Sequence, residues 1–273
     1  MSEKSVIEKT KSPVTIEGIK RDLRRLGISE GQVLVVHSSL SSMGWVCGGS
    51  QAVIEALLEV LGDEGTLVMP AHSGDWTDPA NWSNPPVPKE WIPVIRENMP
   101  AFNRCTTPTR GMGRIAETFR NHPGTLRSDH PVVSFCANGK YSEYITKEHP
   151  LEDHFGMKSP LGKLYSLGAK ILLLGVTYDN CTAFHLGETM VEGFPLGEKS
   201  GTSMLVDGKR KWVEFRTIDY CSDDFSKIGD EFEKDYQVIK GSIGNAGSVL
   251  FDFKTGVDFA AEWIRNNRSI KKS

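Results

Sequence analysis

The sequence predicts an α/β fold in which a central, mostly parallel sheet is flanked by helices. The first observation is the order of segments near the start: QVLVVHSS and TLVMP are typical of short buried strands, and GGSQAVIEALLEVLGDEG between them has helical spacing. A strand, a helix and a second strand in this order favour parallel pairing. The second observation is KILLLGV at residues 170–176, which predicts a further buried strand.

The elements before residue 70 have clear boundaries. Residues 15–26 repeat isoleucine and leucine at helical spacing, with Thr15 as the expected N-cap and Gly27 as the expected C-cap. Ser50 is expected to cap the next helix, which ends at Gly62. Each boundary residue is of a type that favours a helix end.

The middle and the end of the chain continue to alternate between helices and strands. RGMGRIAETFRNHPG predicts a glycine-led helix, VVSFCANG a strand, and KYSEYITKEH and SPLGKLYSLG two further helices. Near the end, SDDFSKIGDEFEKD predicts an amphipathic helix, and SVLFDFKTGVDFAAEWIRNN a strand followed by a last helix.

Residues 75–109 interrupt this rhythm. They contain seven of the fourteen prolines and three of the six tryptophans, which disfavours both a long helix and a disordered linker. We expect an excursion that packs over the sheet edge and forms a wall of a cleft. A C-terminal region at about 200–268 begins with a β-hairpin turning at Asp207 and Gly208. Both regions are expected to belong to one domain over residues 1–273.

Composition and charge exclude several classes of protein. A net charge of -3 over 273 residues provides no basic field for nucleic acid. The longest apolar stretch, ILLLGV, is too short to span a bilayer, and the N-terminal segment lacks the apolar core of a secretory signal. Five cysteines without a C-x-x-C pair indicate reduced thiols rather than disulfides or a four-cysteine zinc site. We therefore expect a cytoplasmic protein without nucleic-acid or membrane partners.

Two segments offer groups that bind phosphate. In VVHSSLSSMGWVCGGS, residues 35–50, a strand ends in a serine- and glycine-rich loop before a helix start, although a polar turn explains these residues equally well. In TPTRGMGRIAE, Arg110 and Arg114 flank a G-x-G at a second helix start, which suits a diphosphate. The alternative there is a loop whose glycines need positive φ. The Walker spacing and its lysine are absent.

Two further segments place histidines near polar partners. In TLRSDHPVVSF, His130 is a ligand contact or a loop hydrogen-bonder. In TAFHLGE, His185 and Glu188 lie three residues apart and therefore share a helix face. A carboxylate beside an imidazole fixes its tautomer and stabilises its cation, which is what a general base requires. A structural histidine is the plainer alternative, and a thiol dyad with Cys181 has unsuitable geometry on one helix.

Together these motifs resemble the antibiotic N-acetyltransferase family, best known for aminoglycoside 3-N-acetyltransferases. The resemblance rests on VHSSLSSMGWVCGG, TPTRGMGRIAETFR, RSDHPVVSF, SPLGKLYSLGAKILLLGV and DNCTAFHLGE, which occur in family order from about residue 15 to 265. NPPVPKEWIPVIRENMPAFN is similar to Bacillus-type members. The resemblance implies an α/β acetyltransferase fold distinct from the GCN5-related fold, with acetyl-coenzyme A as co-substrate and no metal.

The resemblance also assigns residues. The expected coenzyme-binding set is His37, Ser38, Ser39, Leu40, Ser41, Arg110, Gly111, Met112, Gly113, Ser128 and His130, with Arg127 in the same RS-x-HP element. The family's catalytic histidine matches His185, and its neighbouring threonine matches Thr182. This chain has HLGE where many members have HLAE, and Gly187 costs about 1 kcal/mol of helix propensity relative to alanine.

The implied reaction is acetyl transfer to the 3-amino group of an aminoglycoside's 2-deoxystreptamine ring, which confers antibiotic resistance. His185 is the expected general base, Thr182 a donor to the oxyanion, and Glu188 the nearest partner carboxylate, with Glu117 and Asp179 as rivals. The acceptor's ammonium groups are expected to contact three carboxylates, Asp75, Asp179 and Glu188.

Other functions stay open at this stage. They are acetyl transfer to another amine, a metal- or thiol-dependent hydrolase, and a coenzyme A-binding protein without activity. The sequence also leaves open whether the protein forms a homo-oligomer.

Overall fold

The computed structural model describes residues 2–269. In chain order its helices and strands are α1 (Glu3–Lys9), α2 (Ile16–Arg25), β1 (Val33–Ser38), α3 (Gly49–Leu61), β2 (Thr66–Pro70), α4 (Trp91–Asn98), α5 (Gly113–Arg120), β3 (Leu126–Arg127), β4 (Phe135–Gly139), α6 (Ser142–Thr146), α7 (Pro160–Ser166), β5 (Lys170–Leu174), α8 (Phe184–Thr189), β6 (Ser200–Val206), β7 (Lys209–Phe215), α9 (Phe225–Asp235), β8 (Ile239–Ile243), β9 (Ala246–Asp252) and α10 (Phe253–Asn267). None of the described helices is long and apolar enough to cross a membrane.

Seven strands form the central sheet, in the order β3-β4-β2-β1-β5-β9-β8. β1 pairs in parallel with β2 and with β5, so the predicted α/β fold with parallel strands at its centre is confirmed. The outer pairs are antiparallel. β8 and β9 are antiparallel because a tight turn joins them. The sequence pattern predicted β9 but not β8.

Helices cover both faces of the sheet because alternate side chains of each strand point to opposite sides. From β1, Val33 and Val35 pack in a core with α7, α8, α9 and α10. Leu34 and Val36, from the same strand, pack in a second core with α2, α3 and α5. A parallel sheet buried on both faces explains why its strands are continuously apolar.

Two predicted boundary residues are confirmed and two need correction, the first being the C-cap of α2, which is Leu26 followed by Gly27 at φ 92°. The Thr15 hydroxyl accepts a hydrogen bond from the Gly18 N–H at 3.2 Å, and Gly62 ends α3. Ser50 does not cap α3, because the N-cap is Gly48 and the Ser50 hydroxyl lies 2.8 Å from that of Thr118 instead. A serine that faces α5 serves helix packing rather than the helix end.

The proline-rich excursion docks on the β6–β7 hairpin and on the sheet. The Phe102 N–H donates to the Ser203 carbonyl in the hairpin at 2.8 Å. On the sheet side, the buried guanidinium of Arg127 donates to the Thr107 carbonyl at 2.5 Å and to the Ala71 carbonyl at 2.7 Å. Burial lowers the pKa of Arg127 to about 10. The hydrogen bonds of this arginine therefore connect the excursion to the residue that follows β2.

Candidate active site

A cleft of about 860 Å³ opens where the parallel strands end. Ser38 at the end of β1, Pro70 at the end of β2 and Val176 just after β5 all line it. Ligands in α/β proteins bind at this edge of the sheet, because loops and helix starts converge there. The cleft is at the upper end of the size range of small-molecule sites.

The loop after β1 forms one side of the cleft. The residues of the HSSLS motif all line it, namely His37, Ser38, Ser39, Leu40 and Ser41. The loop is held by neighbouring Ser42, whose hydroxyl donates to the Gly175 carbonyl at 3.1 Å and lies 2.9 Å from the Ser39 hydroxyl. Gly49, the first residue of α3, also lines the cleft, so this side combines hydroxyls with a helix N-terminus.

The start of α5 forms a second side. Gly111, Met112 and Gly113 line the cleft, and so does Arg114. Gly111 and Gly113 have φ of 73° and 82°, in the left-handed region that glycine favours, so these glycines do meet the need for positive φ.

Arg110 and Asp75 do not reach the cleft, although both were predicted to contact a ligand. They form an ion pair with each other beside it. Asp179 does line the cleft, where it accepts hydrogen bonds from Ser226 at 2.6 Å and from Thr177 at 3.0 Å. The Ser226 hydroxyl lowers the pKa of Asp179, which keeps this carboxylate ionised at neutral pH.

The start of α8 forms the third side, where Thr182 and His185 line the cleft. His185 Nδ1 lies 2.5 Å from Glu188 Oε2, because the three-residue spacing places both side chains on one face of the helix. A carboxylate accepts hydrogen bonds, so Nδ1 carries the proton and Nε2 is left for a ligand. Phe155 stacks on the imidazole at 4.8 Å, and Phe225 packs against it at the same distance.

Glu188 itself is 0 % exposed. Its second oxygen, Oε1, accepts from the Cys221 N–H at 3.0 Å and from the Arg268 guanidinium. Of the two roles predicted for Glu188, this geometry fits the partner of the base, since the carboxylate has no free face for an ammonium group. The rival Glu117 is held elsewhere, by Thr109 and Arg120.

Ser128 and His130 were predicted to contact the coenzyme, but they are fully buried and lie outside the cleft lining. His130 Nδ1 accepts from two backbone N–H groups, and the Ser128 hydroxyl lies 3.0 Å from His149 Nδ1. Burial lowers the pKa of His130 well below its ordinary value. These residues support the wall of the cleft from behind.

The structure brings other residues to the cleft that the sequence motifs did not identify. They come from separate segments: Glu3, Val6, His72, Phe155, Ser222 and Phe225. No local spacing connects them, because the fold alone joins α1, the end of β2 and the start of α9 at one opening.

Cys181 is fully buried, and burial raises the pKa of its thiol to about 12. A thiol in this state is not a nucleophile at neutral pH. Among residues 2–269, no group of three or more histidine, cysteine, aspartate or glutamate side chains is placed to hold a metal ion.

Comparison with known proteins identifies the family. The family model described as aminoglycoside 3-N-acetyltransferase matches residues 35–265. The chain belongs to this family. It is 45% identical over 272 residues to the SPbeta prophage-derived aminoglycoside N(3')-acetyltransferase-like protein YokD of Bacillus subtilis (strain 168), covering 98% of this chain and 100% of the relative.

Solved structures of family members have the same fold. The crystal structure of YokD superposes with a TM-score of 0.96, covering 97% of this chain and 98% of the other. AAC-IIIb, solved as a binary complex with CoASH, superposes with a TM-score of 0.83 at 31% identity, covering 93% of this chain and 97% of the other. The antibiotic N-acetyltransferase fold is thereby confirmed for this chain.

Proposed function

We propose that this protein transfers the acetyl group of acetyl-coenzyme A to an amine of an aminoglycoside, with His185 as the general base. The observation that carries the proposal is the position of the His185–Glu188 pair. It opens into the same cleft as two elements suited to phosphate, the loop after β1 and the start of α5. The names of the relatives, aminoglycoside N(3)-acetyltransferases, supply the acceptor class and the 3-amino position.

We assign the binding of acetyl-coenzyme A, the acetyl donor, to the loop after β1 and the start of α5. Residues 38–41 offer hydroxyls and N–H groups, and Arg114 adds a cation at the cleft. The N-termini of α3 and α5 face the same space, and helix dipoles favour phosphate there. Binding of CoASH by AAC-IIIb agrees with this assignment.

We assign removal of the proton from the acceptor amine to His185. An ammonium group is not a nucleophile, so the acceptor amine must lose a proton as its nitrogen attacks the thioester carbonyl. His185 Nε2 accepts that proton. The hydrogen bond from Nδ1 to Glu188 fixes the tautomer in which Nε2 carries no proton and can act as the acceptor. Transfer is direct, since the buried Cys181 is unsuited to carry an acyl group.

We assign stabilisation of the oxyanion to Thr182. Negative charge develops on the carbonyl oxygen as the nitrogen adds, and the Thr182 hydroxyl or a backbone N–H at the α8 start donates to it. The carbon–sulfur bond then breaks, the amide forms and the thiol of coenzyme A leaves with a proton. Asp179 and Glu3 are the carboxylates at the cleft that attract the acceptor's remaining ammonium groups.

The decisive experiment measures thiol release from acetyl-coenzyme A across a panel of aminoglycosides and simple amines. Turnover with aminoglycosides, and acetylation at the 3-amino group by mass spectrometry, supports the proposal. Turnover only with simple amines assigns the chain to a different amine acceptor. Thiol release that is independent of any amine identifies a hydrolase and contradicts the proposal.

A cytoplasmic location is part of the same proposal, since acetyl-coenzyme A is made there and all five cysteines are unpaired. Organisation as one domain over residues 1–273 is likewise proposed, with antibiotic resistance as the physiological result.

A further inference from the structure

Arg268 lies just beyond the C-terminal end of α10, yet it reaches the partner of the proposed base. Its guanidinium donates to Glu188 Oε1 with one nitrogen, and Nε donates to Asp224 Oδ2 at 2.8 Å. Nη2 donates to the Cys221 carbonyl, also at 2.8 Å. The side chain is only 15% exposed, so these charges interact with little screening by water.

We propose that Arg268 is a positioning residue for the reaction: it balances the buried Glu188 carboxylate so that His185 rests unprotonated and ready to accept a proton. This inference rests on the proposed function of His185. A buried carboxylate with no cation either takes up a proton or holds one on the neighbouring imidazole. The first outcome removes the charge that strengthens the base, the second leaves the base already protonated, and Arg268 opposes both.

The charges around the pair support this role. Arg268 offsets one of two carboxylates, Glu188 and Asp224, so a proton arriving at His185 neutralises the remaining negative charge. Although burial alone would lower the pKa of Arg268, its bonds to Asp224 and Glu188 outweigh burial and raise it. The guanidinium therefore stays charged throughout the working range of pH.

Other titratable groups near the pair carry no charge at neutral pH. Burial lowers the pKa of His72 to about 3 and that of His154 to about 4. Burial also raises the pKa of Tyr220 above its ordinary value. The balance of charge at Glu188 therefore depends on Arg268 and Asp224.

Arg268 also connects three elements of the site. Glu188 belongs to α8, Arg268 follows α10, and Asp224 belongs to the segment before α9 that contributes Ser222 to the cleft. α8 and α10 approach closely, since a Cβ added at Gly187 would lie 3.0 Å from the Ala261 nitrogen. The glycine of HLGE thus permits the contact that lets Arg268 reach Glu188.

The test compares four variants with the wild type: Arg268→Gln, Arg268→Lys, Asp224→Asn and, as the matched control, Arg265→Gln. Arg265 lies in the last turn of α10, three residues before Arg268, and is exposed, so its loss changes the net charge equally without touching the network. The readouts are the pH profile of kcat, the acceptor KM, and an NMR titration of the His185 imidazole, assigned with His185→Gln.

Arg268→Gln should move the acidic limb of kcat and the imidazole titration to higher pH by about one unit or more, with acceptor KM unchanged. Asp224→Asn should move both the opposite way, Arg268→Lys should move them less, and Arg265→Gln should leave them in place. Unmoved midpoints in both folded Arg268→Gln and Asp224→Asn would overturn the inference. Because the NMR titration needs no turnover, it decides the role of Arg268 even if the wild type acetylates no amine in the panel.

Discussion

Phe155 contacts His185 at the cleft and His154 of a buried histidine cluster, and the two sets of histidines differ in their partners. His185 is bonded to the carboxylate of Glu188 at 2.5 Å and opens into the cleft. His130, His149 and His154 pack on one another behind the cleft wall, and their hydrogen bonds go to backbone groups and a serine hydroxyl. A buried imidazole becomes a base through an ionised partner and an open face, and burial alone produces only a structural histidine.

The largest expected effect comes from His185→Gln, which keeps side-chain volume between the two phenylalanines. General base catalysis contributes typically about 10²- to 10⁴-fold, so kcat should fall by at least that lower figure. Binding of coenzyme A, measured by calorimetry, should not change. The control is His122→Gln, at a half-buried histidine outside the cleft lining, which should behave as wild type.

A smaller effect is expected from Glu188→Gln. A hydrogen bond to a charged group contributes about 1.5–3 kcal/mol, so losing the charge should lower kcat by about 10- to 100-fold. Acceptor KM should be unchanged, because the carboxylate is fully buried and does not contact the acceptor. A rise in KM with kcat preserved would instead assign Glu188 to ammonium binding.

The structural histidines should affect stability rather than turnover. Burial lowers the pKa of His149 to about 3 and of His154 to about 4, whereas a histidine in the unfolded chain titrates near about 6.5. Between these values the unfolded state binds more protons, so stability is kept above about pH 6.5 and falls by about 1.4 kcal/mol per pH unit per histidine below it. Urea unfolding at a series of pH values measures this slope, and His149→Gln should make it shallower.

The smallest effect is expected from Cys181→Ala. The thiol is buried, has a raised pKa and does not line the cleft, so kcat should stay at the wild-type value while stability drops by about 1 kcal/mol. Complete loss of activity in a folded variant, or an acetylated Cys181 trapped by mass spectrometry, would show a thiol mechanism.

Much of the site was predictable because it is local in sequence. The spacing of His185 and Glu188 specifies a shared helix face, and the loop after β1 lies where a parallel strand ends. The contributions of Arg268, Ser222 and Phe155 were not predictable, because only tertiary packing brings these distant segments together.

Some residues of the local motifs lie outside the cleft lining, and their predicted roles in ligand binding stay predictions. Ser128 and His130 lie in a family motif, yet both are fully buried and support the wall. Arg110 and Asp75 are about half exposed and form an ion pair with each other outside the cleft lining. The polar residues of a motif do not by themselves indicate which of them the fold places at the cleft.

The pH dependence of kcat in wild type and His185→Gln tests the central claim most directly, with acetyl-coenzyme A and a good acceptor at saturation. The account predicts an acidic limb in the wild type that is absent from His185→Gln, whose residual rate should rise only with deprotonation of the acceptor amine itself. A variant that turns over near the wild-type rate, or keeps the same acidic limb, would contradict the account and make His185 a structural histidine like His130.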